Sequence, residues 1–157
     1  MVGGDMLHPR IDISHDLEGE PVVLACFDLG GEEIAAAAHA VAAMVAERFR
    51  MSEMSVDDVL EFRELTALAD ELADQDPQPG MRTVVLRPAR LSALRDAVAR
   101  FIETRDEGDW IRDQDREPLA RLRGLLAPLG ELCAEALRAA LSPPPVTHPG
   151  AAGDDSA

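Results

Sequence analysis

Apolar residues in this chain form two kinds of pattern, short dense runs and longer stripes at intervals of three and four. Dense runs cover residues 22–29 and 83–86. Runs of this length and composition are typical of buried strands. A weaker alternation in residues 10–14 predicts a short edge strand. The sequence therefore predicts a sheet of two or three strands.

Helical periodicity covers residues 32–50, 55–74, 88–102 and 116–141. Pro88 follows a strand-type run directly, and its fixed φ and missing N–H suit the first turn of a helix. We therefore expect a strand that leads straight into a helix at this point. Pro128 lies inside the last helical segment and predicts a kink or a break near Ala127.

The stripes of the first two helical segments are expected to face the core. Ser55 is the expected N-cap of the second segment, and Asp58 stands where a capping box usually has Glu or Gln. The stripe positions of the two segments are Ile34, Ala38, Val41, Val45 and Phe49, then Val59, Phe62, Leu65, Leu68, Ala69 and Leu72.

These elements predict an α+β fold that is predominantly helical, with four or five helices packed on a two- to three-stranded sheet. The helices at 32–50 and 55–74 lie between two strands, and we expect both to pack on the sheet. Residues 1–20 form a polar N-terminal arm with the edge strand inside it. Residues 21–141 form one globular domain, and the Pro/Gly/Ala/Asp-rich residues 142–157 are expected to be a disordered tail.

The charge of the chain is strongly negative and unevenly distributed. Formal net charge is −15, and residues 31–80 alone hold twelve acidic residues and three arginines. Such acidity disfavours direct nucleic-acid binding and anionic membranes. The chain has no Lys, Asn or Tyr, whose codons are AT-rich, which points to a high-GC bacterial genome.

Cysteine usage and the amino terminus predict a cytoplasmic location. Cys26 and Cys133 lie far apart in the sequence, in separate apolar segments. The start of the chain lacks the basic and apolar regions of a signal peptide, and no apolar run reaches membrane-spanning length. Reduced thiols are expected in that compartment.

Two stretches invite a metal-binding interpretation, and neither supports it. His8 and His15 lie too far apart for a standard metal motif, so we expect a solvated N-terminal segment there. The acidic residues 106–117 fail the calcium-loop pattern, because Gly108 and Trp110 occupy positions that need oxygen ligands. We predict no metal and no cofactor.

Catalytic motifs are also missing from the sequence. His39 has no Asp or Glu three or four residues away to orient its ring, so a surface or helix-contact histidine is expected. Gly30 and Gly31 form a strand-to-helix turn without a phosphate-binding motif around them. We therefore assign no catalytic residue.

The leading functional hypothesis is a non-enzymatic cytoplasmic interaction or regulatory module that binds another protein or a second copy of itself. Its expected contact residues are Trp110, Ile111, Leu125 and Leu132. An alternative is an acidic decoy for a basic or nucleic-acid-binding protein, using Glu53, Asp57, Asp58, Glu61 and Glu64. A further alternative is a small-ligand binder or enzyme that uses His39 or the N-terminal Asp/His residues.

Overall fold

A computed structural model describes residues 6–50, 53–73, 80–106 and 112–141 of the chain. The predicted tail, residues 142–157, lies outside these ranges. The described elements are, in chain order, β1 (Leu7–His15), β2 (Pro21–Gly30), α1 (Gly31–Phe49), α2 (Val56–Ala73), β3 (Met81–Leu86), α3 (Pro88–Asp106) and α4 (Asp113–Leu141). The predominantly helical α+β fold is confirmed.

The three strands form one antiparallel sheet in the order β1-β2-β3. The predicted edge strand exists and is longer than residues 10–14, with an irregularity between Leu7 and Arg10 where His8 has a φ of 52°. On the central strand, Ala25, Phe27 and Leu29 alternate towards the helices and are fully buried. This alternation places one face of β2 in the core.

Three helices cover that face of the sheet. Both α1 and α3 follow their strands almost directly, and together with α4 they pack on β2. The second helix, α2, instead packs mainly on α1 and α3. The prediction that both connecting helices lie on the sheet is therefore right for α1 only, because α3 and α4 occupy the remaining surface.

The last helix, α4, continues without a break from Asp113 to Leu141. The predicted break near Ala127 is wrong, although Pro128 does lie inside the helix. Leu125, Leu129 and Leu132 are buried on both sides of the proline. Their packing against the rest of the core offsets the cost of one lost backbone hydrogen bond. None of the helices in the described ranges is long and apolar enough to cross a membrane.

Candidate functional site

The four residues expected to contact a partner do not form one exposed surface in the described part of the chain. Trp110 and Ile111 lie outside the described residues. Leu125 and Leu132 are buried, with only 1% and 2% of their surface exposed. Both belong to the core because α4 packs against α1, α3 and two strands. These elements together cover a wide face of α4, so leucines outside one narrow apolar stripe are buried as well.

The five acidic residues assigned to the decoy surface lie at the start of α2 or just before it. Glu53 and Asp57 are exposed. Asp58 and Glu61 pair with Arg48 of α1 at 3.2 and 3.0 Å, and Glu64 lies 3.5 Å from Arg90 of α3. Part of this acidity therefore joins α2 to its neighbours.

The first turn of α2 has the predicted capping box. The backbone N–H of Asp58 donates to Ser55 Oγ at 3.1 Å, and the N–H of Ser55 donates back to Asp58 Oδ2 at 3.0 Å. The hydrogen bonds from Ser55, followed by the charge of Arg48, hold the pKa of the Asp58 carboxyl below its ordinary value. Aspartate thus completes the reciprocal pair that Glu or Gln usually makes.

Exposed apolar side chains surround this capped end of α2. Val56, Val59 and Leu60 share one side of the helix, since they are three and four residues apart. Phe49 ends α1, and its ring lies 6.4 Å from that of Phe62. We call Phe49, Val56, Val59 and Leu60 the α1–α2 surface, and their exposed fractions range from 44 to 78%.

The sequence stripes placed two of these residues in the core, and the structure corrects that expectation. Phe49 and Val59 continue the helical periodicity of α1 and α2, but the buried part of α1 ends at Met44 and that of α2 begins at Leu65. The apolar stripes are thus longer than the core that they help to form. Excess stripe length was the one sequence signal that could have identified this surface.

A second cluster forms where α1, α3 and α4 meet. His39 Nε2 lies 2.7 Å from Asp115 Oδ1, and Arg105 Nε lies 3.5 Å from Oδ2 of the same carboxylate. The ring of Phe101 contacts the imidazole edge to face at 5.5 Å, and the Arg105 guanidinium stacks over Phe101 at 4.8 Å. The interpretation of His39 as a helix-contact histidine is confirmed.

Asp115 is the only charged residue among those described that is buried in the core, at 4% exposure. It comes from the acidic stretch 106–117, where the calcium pattern failed, and it lies near the start of α4. Sequence reasoning missed its role because its partner is 76 positions away in the chain. No local spacing could indicate the contact.

The described N-terminal Asp and His residues do not contact one another as a cluster; His8 and Asp12 each contact a different residue of β2. His8 Nδ1 lies 2.9 Å from Asp28 Oδ2, whereas Asp12 accepts a hydrogen bond from the Cys26 thiol at 3.4 Å. In the ranges that the structure describes, no three His, Cys, Asp or Glu side chains are grouped to hold a metal ion. His15 ends β1, and its exposed side chain agrees with the solvated segment expected there.

Comparison with known proteins gives no family on which to base a function. The chain was compared with models of protein families, with curated proteins and with solved structures, and none of the three comparisons found a match.

Proposed function

We propose that the protein is an interaction module that binds a basic, amphipathic segment of another protein on the α1–α2 surface. One observation carries this proposal: four large apolar side chains are exposed at the end of α1 and in the first turns of α2, close in the sequence to the exposed carboxylates of Glu53 and Asp57. The proposal keeps the interaction function expected from the sequence and moves the contact to other residues.

The exposed apolar side chains of the α1–α2 surface provide the driving force for binding. Contiguous exposed apolar side chains with a polar border are typical of protein interaction sites. Val56, Val59 and Leu60, at intervals of three and four on α2, offer a short apolar strip of the kind that takes an amphipathic helix. Burial of such anchors usually supplies most of the affinity of an interface.

The charge around the strip selects the partner. Glu53 and Asp57 are exposed beside the capped end of α2, within the segment that holds most of the excess negative charge. A basic segment would be attracted to this region. A second copy of the chain would meet its own carboxylates there, so a basic partner is favoured over a homodimer through this surface.

A designed peptide tests the proposal without knowledge of the natural partner. The probe is a helical peptide of about 18 residues with Leu at intervals of three and four and Lys elsewhere. Its control has Glu in place of every Lys. We expect saturable binding of the basic peptide, measured by fluorescence anisotropy, and none of the acidic one.

Two variants locate the contact. Leu60→Ser should weaken peptide binding about tenfold, because it removes an apolar anchor. Leu137→Ser changes an equally exposed leucine at the far end of α4 and should have no effect. Equal binding by both variants would show that the peptide does not use the α1–α2 surface. Circular dichroism confirms that each variant keeps its helices.

A salt series separates this proposal from the acidic decoy. Attraction between exposed charges weakens steeply between about 50 and 500 mM NaCl, whereas apolar contacts persist. If the peptide binds the proposed surface, Leu60→Ser lowers its affinity at the lowest and at the highest salt concentration. For a purely acidic decoy, Leu60→Ser has no effect, whereas Glu53→Gln with Asp57→Asn abolishes binding.

A further inference from the structure

We propose that the cavity between α1, α3 and the start of α4 binds a small organic anion through carboxylate or phosphate groups. The cavity has a volume of about 660 Å³, and this size suits a small molecule. His39 and Asp115 lie on its wall, together with Arg50, Arg105 and Arg112. The proposal is independent of the α1–α2 surface.

The His39 imidazole is held in one orientation and still reaches solvent. Nε2 is bound to the buried Asp115 carboxylate, so this nitrogen carries the proton of the hydrogen bond. The side chain is 34% exposed. Its other nitrogen, Nδ1, has no hydrogen-bond partner among the described residues, and it can therefore accept a hydrogen bond from a ligand.

The charges on the cavity wall favour an anion. Three of the charged wall residues already have partners: Arg105 pairs with Asp115, and Glu47 lies 3.4 Å from Arg100. Arg50 and Arg112 form no ion pair with any residue in the described ranges, and both are exposed. Two arginines without such a partner in a chain of net charge −15 form a local positive site.

Guanidinium groups bind carboxylates and phosphates by paired hydrogen bonds, which makes these two arginines suitable anion ligands. Arg50 is the C-cap residue that follows α1, and Arg112 immediately precedes α4, where its carbonyl accepts a hydrogen bond from the N–H of Asp115. The partly buried His39–Asp115 contact joins the two helices, α1 and α4, that position both arginines. A ligand with an anionic group and a polar hydroxyl would use the arginines and His39 together.

The test uses the whole chain and three simple probes: inorganic phosphate, succinate, and succinamide as the uncharged analogue. Binding is followed by the amide chemical shifts of the protein, at constant ionic strength set with NaCl. We expect saturable shifts with phosphate, succinate or both, and none with succinamide. Phosphate alone or succinate alone would identify which anionic group the site prefers.

A charge-matched pair of variants decides whether the binding is local. Arg50→Ala with Arg112→Ala should weaken anion binding by about tenfold or more, because two charge-assisted contacts are lost. Arg63→Ala with Arg138→Ala removes two exposed arginines elsewhere and should leave it unchanged. The absence of saturable binding for every probe overturns the proposal, as does equal weakening in both double variants.

His39→Gln adds a second readout. It should weaken binding of glycolate, which has a hydroxyl beside its carboxylate, more than binding of acetate, because only glycolate can donate to Nδ1. Equal effects on glycolate and acetate would remove His39 from the site. The helical circular dichroism signal of the variant serves as the control for folding.

Discussion

His39 Nε2 lies 2.7 Å from Asp115 Oδ1, and this contact joins α1 to α4 across 76 positions of the chain. The second oxygen of the carboxylate faces Arg105 of α3 at 3.5 Å. One buried side chain therefore connects three helices. Buried charges are costly unless they are paired, so we expect the fold to depend on the positions of His39 and Arg105 around this carboxylate.

Removal of that carboxylate should destabilise the fold. Asp115→Ala leaves His39 and Arg105 without their shared acceptor, and we expect the free energy of unfolding to fall by about 2–4 kcal/mol. Urea denaturation followed by circular dichroism measures the change. Asp113→Ala, which alters a fully exposed acid in the same helical turn, should cost less than about 1 kcal/mol. Similar losses in the two variants would contradict a linking role for Asp115.

Leu132 should behave as a core residue. Leu132→Ala removes a side chain that is 2% exposed, and we expect a loss of about 2–5 kcal/mol in unfolding free energy. Leu137→Ala makes the same chemical change on the same helix at a 57% exposed position, so helix propensity cancels in the comparison. We expect a change within about 0.5 kcal/mol there. Equal denaturation midpoints would place Leu132 outside the core.

The capping box at the start of α2 should contribute measurable stability. Ser55→Ala removes the side-chain acceptor for the Asp58 N–H, and such changes typically cost about 1 kcal/mol. Ser92→Ala is the matched control, because Ser92 is exposed within α3. The control should be neutral or slightly stabilising, since alanine is the better helix former. Thermal unfolding of both variants distinguishes these outcomes.

Asp28 should make stability depend on acid pH. Its carboxylate accepts hydrogen bonds from Thr83 Oγ1 at 2.6 Å and from His8, and these hold its pKa below the ordinary 3.8. A carboxyl with a lowered pKa in the folded state stabilises the protein above its unfolded pKa, and this contribution is lost as the pH falls through the folded value.

The variant Asp28→Asn lacks that carboxylate, so it should melt below the wild type at neutral pH. The difference in melting temperature should shrink as the pH falls below about 3.8. Glu135→Gln, an exposed change on α4, should follow the wild-type curve throughout. A constant gap between wild type and Asp28→Asn at all pH values would exclude the proposed linkage.

Local patterns predicted the secondary structure well and the long-range contacts poorly. The Pro88 helix start and the Ser55–Asp58 capping box depend on residues a few positions apart, and both are present. Periodicity also placed Phe49 and Leu132 on apolar helix faces. Periodicity could not show which of these two residues the other helices would cover. In the structure Phe49 is exposed and Leu132 is buried.

The candidate sites were harder to predict for the same reason. The His39–Asp115 contact depends on how α4 returns to α1, and that arrangement follows from the packing of α1, α3 and α4 on one another. The acidic residues near the start of α2 could be identified from composition alone. Their division into paired and exposed carboxylates required the position of Arg48 on the neighbouring helix.

The Cys26 thiol offers a test of the contact between β1 and β2. Burial raises its pKa, and Asp12 raises it further by accepting the S–H hydrogen bond and by its negative charge. Thiolate is the reactive form, so Cys26 should react slowly with iodoacetamide at neutral pH. Asp12→Asn should lower the thiol pKa, and the midpoint of the pH–rate profile should move to lower pH.

Two further changes make that measurement specific. A Cys133→Ser background removes the other thiol, so that alkylation reports on Cys26 alone. Asp70→Asn removes one exposed charge from α2 and should leave the midpoint where it is. If Asp12→Asn merely loosened the edge strand, the rate would rise at every pH with an unchanged midpoint. A shift of the midpoint therefore distinguishes direct contact with the carboxylate from a general increase in access to the thiol.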